Sequence, residues 1–303
     1  MLEKGGSVIK IYSGEIGLIL VSLIWGSGFV STQLGLNNGL TPFQLMTGRF
    51  FIGALLISVI FFKQIKKIDK KDIIPGVLLG GFLFVAFSFQ TFGLQFTTSS
   101  KSAFLTASNV VIVPFIGCML YKRKLDKISI LSSLIALIGI GIISLETNFT
   151  IGIGDSLTLI CAIGFAMHIF LTSQFTKKHN PIVLTCIQMI TAFLLSLILQ
   201  IIAGEVNADI NISAMSSILF LGVFNTTICF LGQTICQTKV DETKTALILS
   251  TEAIFGVLFA VIITNEVITT KMIVGSLLIF IAIICAETKL KFLSKNGDYQ
   301  NTY

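Results

Sequence analysis

Apolar runs long enough to cross a lipid bilayer follow one another along almost the whole of this chain, separated by short polar loops. A membrane helix needs about 20 mainly apolar residues at a rise of about 1.5 Å each. Ten runs reach roughly that length, at about 16–36, 42–62, 73–94, 101–121, 128–145, 154–173, 182–203, 213–235, 243–264 and 271–287. Only 12% of the 303 residues are charged and 54% are hydrophobic, whereas a soluble domain carries roughly 25% charged residues. Lipid offers the backbone no hydrogen-bond partners, so such runs must be helices. The expected fold is an all-α membrane protein with ten transmembrane helices. No small-residue cleavage site follows the first run, which is therefore expected to stay as a helix rather than leave as a signal peptide.

The charges fix an expected orientation. Lys4 and Lys10; Lys63, Lys66, Lys67, Lys70 and Lys71; Lys122, Arg123, Lys124 and Lys127; Lys177 and Lys178; Lys239 and Lys244; and Lys289, Lys291 and Lys295 all fall at one set of helix ends. Lys101 and Lys271 alone stand at the opposite ends, and Arg49 lies within a run. The net charge of +6 is thus a positive-inside signature rather than a nucleic-acid footprint. It predicts a multi-pass protein of the bacterial plasma membrane with both termini cytoplasmic, in keeping with an even number of crossings. The loops leave no room for a soluble catalytic domain, and no GxxxxGK[ST] phosphate loop occurs, which argues against an ATP-driven pump. The six cysteines lie in apolar runs without a CxxC pair, and His168 and His179 are the two histidines. These read as small buried hydrophobes and leave little for a metal site. No cofactor is expected.

The chain divides near 148–153 into two units of five helices, 1–148 and 149–303. Thr41-Pro42 before helix two matches Asn180-Pro181 before helix seven, which sets Arg49 opposite Gln188. Gly80 and Phe82 match Gly222 and Phe224; Ala103 and Asn109 match Ala246 and Glu252 when Lys101 is aligned on Lys244. Five is odd, so the second unit enters from the other side. The expectation is a pair of inverted repeats about a pseudo-two-fold axis in the membrane plane, as in secondary transporters.

Polar side chains at membrane depth mark where function is to be sought. Glu252 lies roughly 14 Å from the cytoplasmic end of helix nine. It reads as a proton acceptor or as a counter-charge for a cationic group, against a structural carboxyl bonded to a neighbouring helix. Arg49, roughly 10 Å inward from the outer end of helix two, could hold a substrate carboxylate, pair with Glu252, or bond exposed carbonyls. Asn109, Gln90, His168, Gln188, Asn225 and Gln233 need hydrogen-bond partners and so face the bundle; packing between helices is the competing role. Trp25, with Phe29 four residues on, forms one face of helix one and suits stacking on a substrate or a cation–π contact, or plain packing. The phenylalanines Phe82, Phe84, Phe87 and Phe89 read as lipid-facing or core. Gly76 and Gly80 form a GxxxG for close helix approach. Pro114 should kink helix four next to Asn109. Gly152-Ile153-Gly154-Asp155 spells the GxGD of intramembrane aspartyl proteases, but no second aspartate lies at membrane depth to share a proton. It reads as the opening turn of helix six.

Trp25-Gly26-Ser27 with Phe29, Arg49-Phe50, the stretch 103–114 followed by a basic run, Gly154-Asp155, Thr251-Glu252-Ala253 and Asn265-Glu266 occur in an order and spacing that resemble the drug/metabolite transporter superfamily. The resemblance is to its ten-helix members with two EamA-type repeats and covers nearly the whole length. Arg123 stands where members often carry glutamate, and Ala253 where proline is common. The resemblance implies a secondary transporter of small polar metabolites, often an exporter of amino acids or drugs, and not an enzyme. It also implies a cavity lined by helices one, three, four, six, eight and nine. The expected substrate-binding residues are Trp25, Phe29, Arg49, Gln90, Asn109, His168, Asn225 and Glu252, with Glu252 also coupling to protons. The expected partners are a small-molecule substrate, the lipid bilayer and protons, with no nucleic acid; a monomer and a homodimer both fit. Uptake of a cationic nutrient such as a quaternary ammonium compound is a second transport reading. A non-transporting receptor or a membrane enzyme is the contrasting class.

Overall fold

The computed structural model describes residues 12–122, 127–144, 151–205 and 211–288. Its main helices are α1 (Ser13–Asn37), α2 (Pro42–Ile60), α3 (Lys70–Gly93), α4 (Ser99–Tyr121), α5 (Lys127–Ser144), α6 (Ile153–Phe175), α7 (Pro181–Ile202), α8 (Ile212–Cys236), α9 (Glu242–Thr264) and α10 (Thr270–Thr288). Eight of them, α1–α4 and α6–α9, are long and apolar enough to cross a membrane. Helices α5 and α10 carry shorter apolar stretches, Ile130–Ile143 and Thr270–Ala282. The basic residues Lys4, Lys10, Arg123, Lys124, Lys289, Lys291 and Lys295, and the junction at 148, lie outside the described residues. The outer surface carries large apolar side chains such as Ile74, Val59, Ile202 and Ile262, a pattern that suits lipid and not water.

Local chemistry sets the helix starts. The Thr41 hydroxyl accepts from Gln44 N at 3.2 Å while Gln44 Oε1 accepts from Thr41 N at 3.1 Å, and Pro42 follows at the first helical position. This reciprocal cap satisfies two otherwise orphaned N–H groups. Asn180 Oδ1 caps α7 through Ile182 N at 2.9 Å, again with proline next. Thr98 and Asp241 cap α4 and α9 through Lys101 N and Lys244 N. Helices α4 and α9 each end on a left-handed residue, Lys122 (φ 53°) and Asn265 (φ 52°).

Helix α3 lies between α6 and α7; α8 lies between α1 and α2; α4 meets α6 as α9 meets α1; α2 crosses α7 and α5 crosses α10. The tightest crossings occur at glycines. A Cβ on Gly80 would sit 2.6 Å from Thr191 Cβ and 2.7 Å from the Gln188 carbonyl oxygen; one on Gly222 would sit 2.7 Å from Ile52 Cβ. Gly76 meets Ile187 as Gly48 meets Ile218, and Gly139 and Gly275 approach each other's carbonyl oxygens. The GxxxG of α3 is therefore a helix contact. We expect Gly80→Val to destabilise the protein by about 1–3 kcal/mol through overpacking, seen as a lower melting temperature in detergent; an unchanged value would refute this crossing.

Four cysteines, Cys161, Cys186, Cys229 and Cys236, are buried, and all six are free thiols. Asp155 opens α6 as expected: its carboxylate accepts from the Thr97 hydroxyl at 2.6 Å and pairs with Lys101 Nζ at 2.6 Å.

Candidate functional site

Three interruptions of regular helix surround one cavity. Helix α4 breaks at Ser108 and α9 breaks at Thr251, so that Asn109 and Glu252 are each the first residue of the second segment. Both breaks share one local hydrogen-bond pattern. The Ser108 hydroxyl donates to the Leu105 carbonyl at 2.6 Å, and the Thr251 hydroxyl to the Ile248 carbonyl at 2.6 Å. Their own N–H groups bond three residues back, to the same carbonyls, at 3.2 Å. A hydroxyl that competes for a backbone carbonyl loosens the α-helical pattern. The break in α4 falls next to Asn109, where a kink from Pro114 is expected, on the N-terminal side of that proline; α9 breaks without a proline. The third interruption is a π-helix, Leu221–Ile228, within α8; such segments widen the helix and often occur at functional sites.

The cavity between these breaks holds about 530 Å³ of space not filled by atoms, part of it continuous with solvent. All eight residues expected to bind substrate line it, whereas Gln188 does not. Helix α1 supplies Trp25 and Phe29, α2 Arg49, α3 Gln90 and α4 Asn109. Helix α6 supplies His168, α8 Asn225 and α9 Glu252. Helix α2 joins the six helices expected to line the cavity.

Arg49 is 2% exposed. Its Nε donates to Thr226 Oγ1 at 3.0 Å, within the π-helix, and its guanidinium lies 4.1 Å from the centroid of the Phe87 ring. Glu252 is also buried, yet no hydrogen bond reaches its carboxylate among the described residues. No ion pair there joins it to Arg49. The two ionisable side chains thus face one cavity with no ion pair between them among the described residues.

The uncharged groups divide by task. Trp25 Nε1 donates to the Asn225 carbonyl at 2.9 Å and Asn225 Nδ2 donates to the Ile24 carbonyl at 2.6 Å, so these two side chains dock the π-helix on α1. His168 Nε2 is hydrogen-bonded to Gln188 Oε1 at 2.8 Å, with the imidazole edge-on to Phe230. Gln90 Nε2 donates to the Thr106 hydroxyl at 3.3 Å, tying α3 to α4 just before the break. Asn109 Oδ1 is buried without a partner.

The sequence groups Phe87 with the lipid-facing or core phenylalanines; it is a buried core residue, and its ring also lines the cavity and supports Arg49. Phe165, which packs edge-on against Phe87 at 5.1 Å, and Thr32 are further lining residues that the sequence does not single out. Gln233, readable from sequence only as a polar residue needing a partner, also lines the cavity. One signal for Phe87 lies in the spacing: it falls three residues before Gln90 on the same helix face.

Comparison with known proteins bears on this arrangement. The model of the EamA-like transporter family matches two stretches, residues 12–145 and 152–288. A protein of Archaeoglobus fulgidus described as an uncharacterized transporter is 32% identical over 288 residues, covering 95% of this chain and 90% of its own. An uncharacterized transporter of Clostridium kluyveri is 26% identical over 291 residues, covering 89% and 92%. A solved crystal structure superposes with a TM-score of 0.71 at 16% identity, over 93% of this chain and 99% of the other, a likeness of fold alone.

Proposed function

This chain belongs to the EamA-like transporter family, and from that membership we propose that it exports amino-acid-like solutes or drugs by alternating access around the cavity, driven by protons through Glu252. It is a multi-pass integral membrane transporter, not an enzyme. The observation that carries the substrate reading is the placement of Arg49 and Glu252 on one cavity, unpaired with each other. An α-carboxylate on the guanidinium and an α-ammonium on the carboxylate would satisfy both.

In this reading the chain has ten membrane crossings in two inverted units, 1–148 and 149–303, with both termini in the cytoplasm of a bacterial plasma membrane. The contacts repeat in support of it. Gly80 with Thr191 corresponds to Gly222 with Ile52, and Gly76 with Ile187 to Ile218 with Gly48. The break at Ser108 corresponds to that at Thr251, and Lys122 to Asn265. The Lys101–Asp155 pair (2.6 Å) corresponds to Lys244–Glu15 (2.7 Å). Inversion would put these two ion pairs at opposite membrane faces, each tying the start of a broken helix to the start of α6 or α1.

That arrangement predicts effects of opposite sign. With native cysteines replaced and Asn109→Cys introduced, Lys101→Ala should speed labelling by an impermeant thiol reagent added outside, and Lys244→Ala should slow it. Changes of the same sign would remove the inverted assignment.

A second reading, uptake of a cationic nutrient such as a quaternary ammonium compound, draws on the aromatic wall of Trp25, Phe29, Phe87 and Phe165 close to Glu252. Aromatic faces attract such cations. Counterflow in liposomes under an inward acid gradient separates the two. Movement of amino acids supports the first, movement of choline alone supports the second, and movement of neither sinks the amino-acid and the cationic-nutrient readings and leaves only the export of drugs.

A further inference from the structure

We infer that α8 carries one residue more than its counterpart α3, and that the wide turn this residue forces is what positions Trp25 on the cavity wall. The inference rests on the reading of the chain as two corresponding halves, and on no assignment of the solute.

The register shows the surplus. Asp69 caps α3 and Asn211 caps α8. Counted from these caps, Gly80 and Gly222 stand at the same position, and they meet α7 at Thr191 and α2 at Ile52. Beyond them the count slips by one. The Gln90 carbonyl accepts from Leu94 N at 2.9 Å, and the Gln233 carbonyl accepts from Gln237 N at 2.9 Å. Gly93 ends α3 and its carbonyl accepts from Phe96 N at 2.9 Å; Cys236 ends α8 and its carbonyl accepts from Lys239 N at 2.9 Å. Each of these α8 residues lies one position further from its cap than its α3 partner. The two helices are accordingly 24 and 25 residues long. The slip persists downstream, in the caps Thr98 and Asp241, the breaks at Ser108 and Thr251, and the left-handed Lys122 and Asn265. Between Gly222 and Gln233 lies most of the π-helix Leu221–Ile228, whereas α3 is α-helical throughout. A single π-turn takes up an extra residue inside a regular helix.

Two aromatic pairs bracket the surplus. Phe82 and Phe224 match in the register before the slip. Phe87 and Phe230, whose rings are 5.9 Å apart, match in the register after it. Among the residues between, Asn225 docks on α1. Its carbonyl accepts from Trp25 Nε1 at 2.9 Å and its Nδ2 donates to the Ile24 carbonyl at 2.6 Å. Its Oδ1 packs where a side chain on Gly28 would lie. The matching contact of α3 with α6 is plain carbon packing, Ala86 on Gly164. The Thr227 hydroxyl reaches the Gly222 carbonyl, five residues back, at 2.7 Å, which is the π spacing. Carbonyls of a regular α-helix point along the axis to the N–H four residues on, so none is offered sideways to an indole. The same wide turn carries Thr226, the acceptor for Arg49.

Trp25 is the single tryptophan of the chain, so its fluorescence reports this contact directly. The experiment compares the purified full chain in detergent with three variants: deletion of Asn225, deletion of Val85 as the matched cut in α3, and Asn225→Ala. Removing one residue from a regular helix turns one side of the cut by about 100° against the other. Deletion of Val85 should therefore be lost to aggregation, whereas deletion of Asn225 should elute as folded protein with its helical circular dichroism intact. Acrylamide quenching of Trp25 should rise on deletion of Asn225. It should stay at the wild-type value in Asn225→Ala, which keeps both the residue count and the backbone carbonyl. Equal loss of the two deletion variants would show that α8 holds no surplus residue and overturn the inference. Unchanged quenching in a folded deletion of Asn225 would remove the positioning role. Equal quenching in Asn225→Ala and the deletion would assign the docking to the side chain instead of the wide turn. None of these outcomes depends on membrane orientation or on which solute moves, so the thiol-labelling and counterflow results stand or fall separately.

Discussion

Glutamine at position 252 should abolish solute movement driven by a pH gradient while leaving the folded protein in place. Glu252→Gln preserves the shape of a side chain that is buried beside the break in α9 and has no hydrogen bond to lose among the described residues. The amide cannot take up or release a proton, so uphill flux under an acid gradient should vanish. Exchange without a gradient should survive in weakened form. Loss of a charge-assisted hydrogen bond to the ammonium group costs about 1.5–3 kcal/mol, or roughly tenfold to 150-fold in apparent affinity. Flux assays with and without a gradient, on the same liposomes, separate the two effects. Gradient-driven flux that persists in Glu252→Gln would remove proton coupling from this residue. Unchanged affinity for amino acids would remove its role as the ammonium partner.

Lysine should not replace Arg49. The guanidinium does two things at once: Nε donates to Thr226 in the π-helix at 3.0 Å, and the planar face lies 4.1 Å from the Phe87 centroid. A lysine ammonium is a compact, strongly hydrated point charge and has no planar fork to present to a carboxylate. We expect Arg49→Lys to raise the half-saturating amino-acid concentration by about tenfold or more, in line with the loss of one charge-assisted bond. Arg49→Met should do the same without unfolding the protein, since an apolar side chain of similar length removes a buried charge rather than stranding one. The diagnostic comparison is with decarboxylated amines, which have nothing for Arg49 to hold. Their binding should be unaffected by either substitution. If amines and amino acids lose affinity equally, Arg49 is a structural residue and the orientation of the solute is wrong.

Much of this architecture is legible in the order of the amino acids. The caps at Thr41-Pro42 and Asn180-Pro181 are short-range patterns. Each depends on a few neighbouring side chains and survives without knowledge of what lies opposite. The eight candidate residues stand out because a polar group in hydrocarbon must face protein or water, a one-dimensional signal readable from composition and depth. Other features depend on partners distant in the chain. Phe87 differs in no local way from Phe84 or Phe89, and only the arrival of Arg49 and Phe165 beside it makes it a cavity wall. Pro114 draws the expectation of a helix break because proline is the visible breaker. The break at Thr251 has no proline near it, and the hydroxyl bonds that accompany both breaks, from Ser108 and Thr251 to carbonyls three residues back, come from residues that sit unbroken in most helices.

The amino-acid order by itself determined that this is a chain of apolar helices with charged and amide side chains buried among them. Burial in lipid leaves the backbone one way to satisfy itself, and that constraint acts segment by segment. The tertiary structure alone decided which of those polar groups stay unsatisfied. Asn225 and Gln233 are interchangeable with other amides until the Ile24 and Ile169 carbonyls pin their orientation. A hydrogen bond between helices distant in sequence is a matter of distance and angle, which no local pattern encodes.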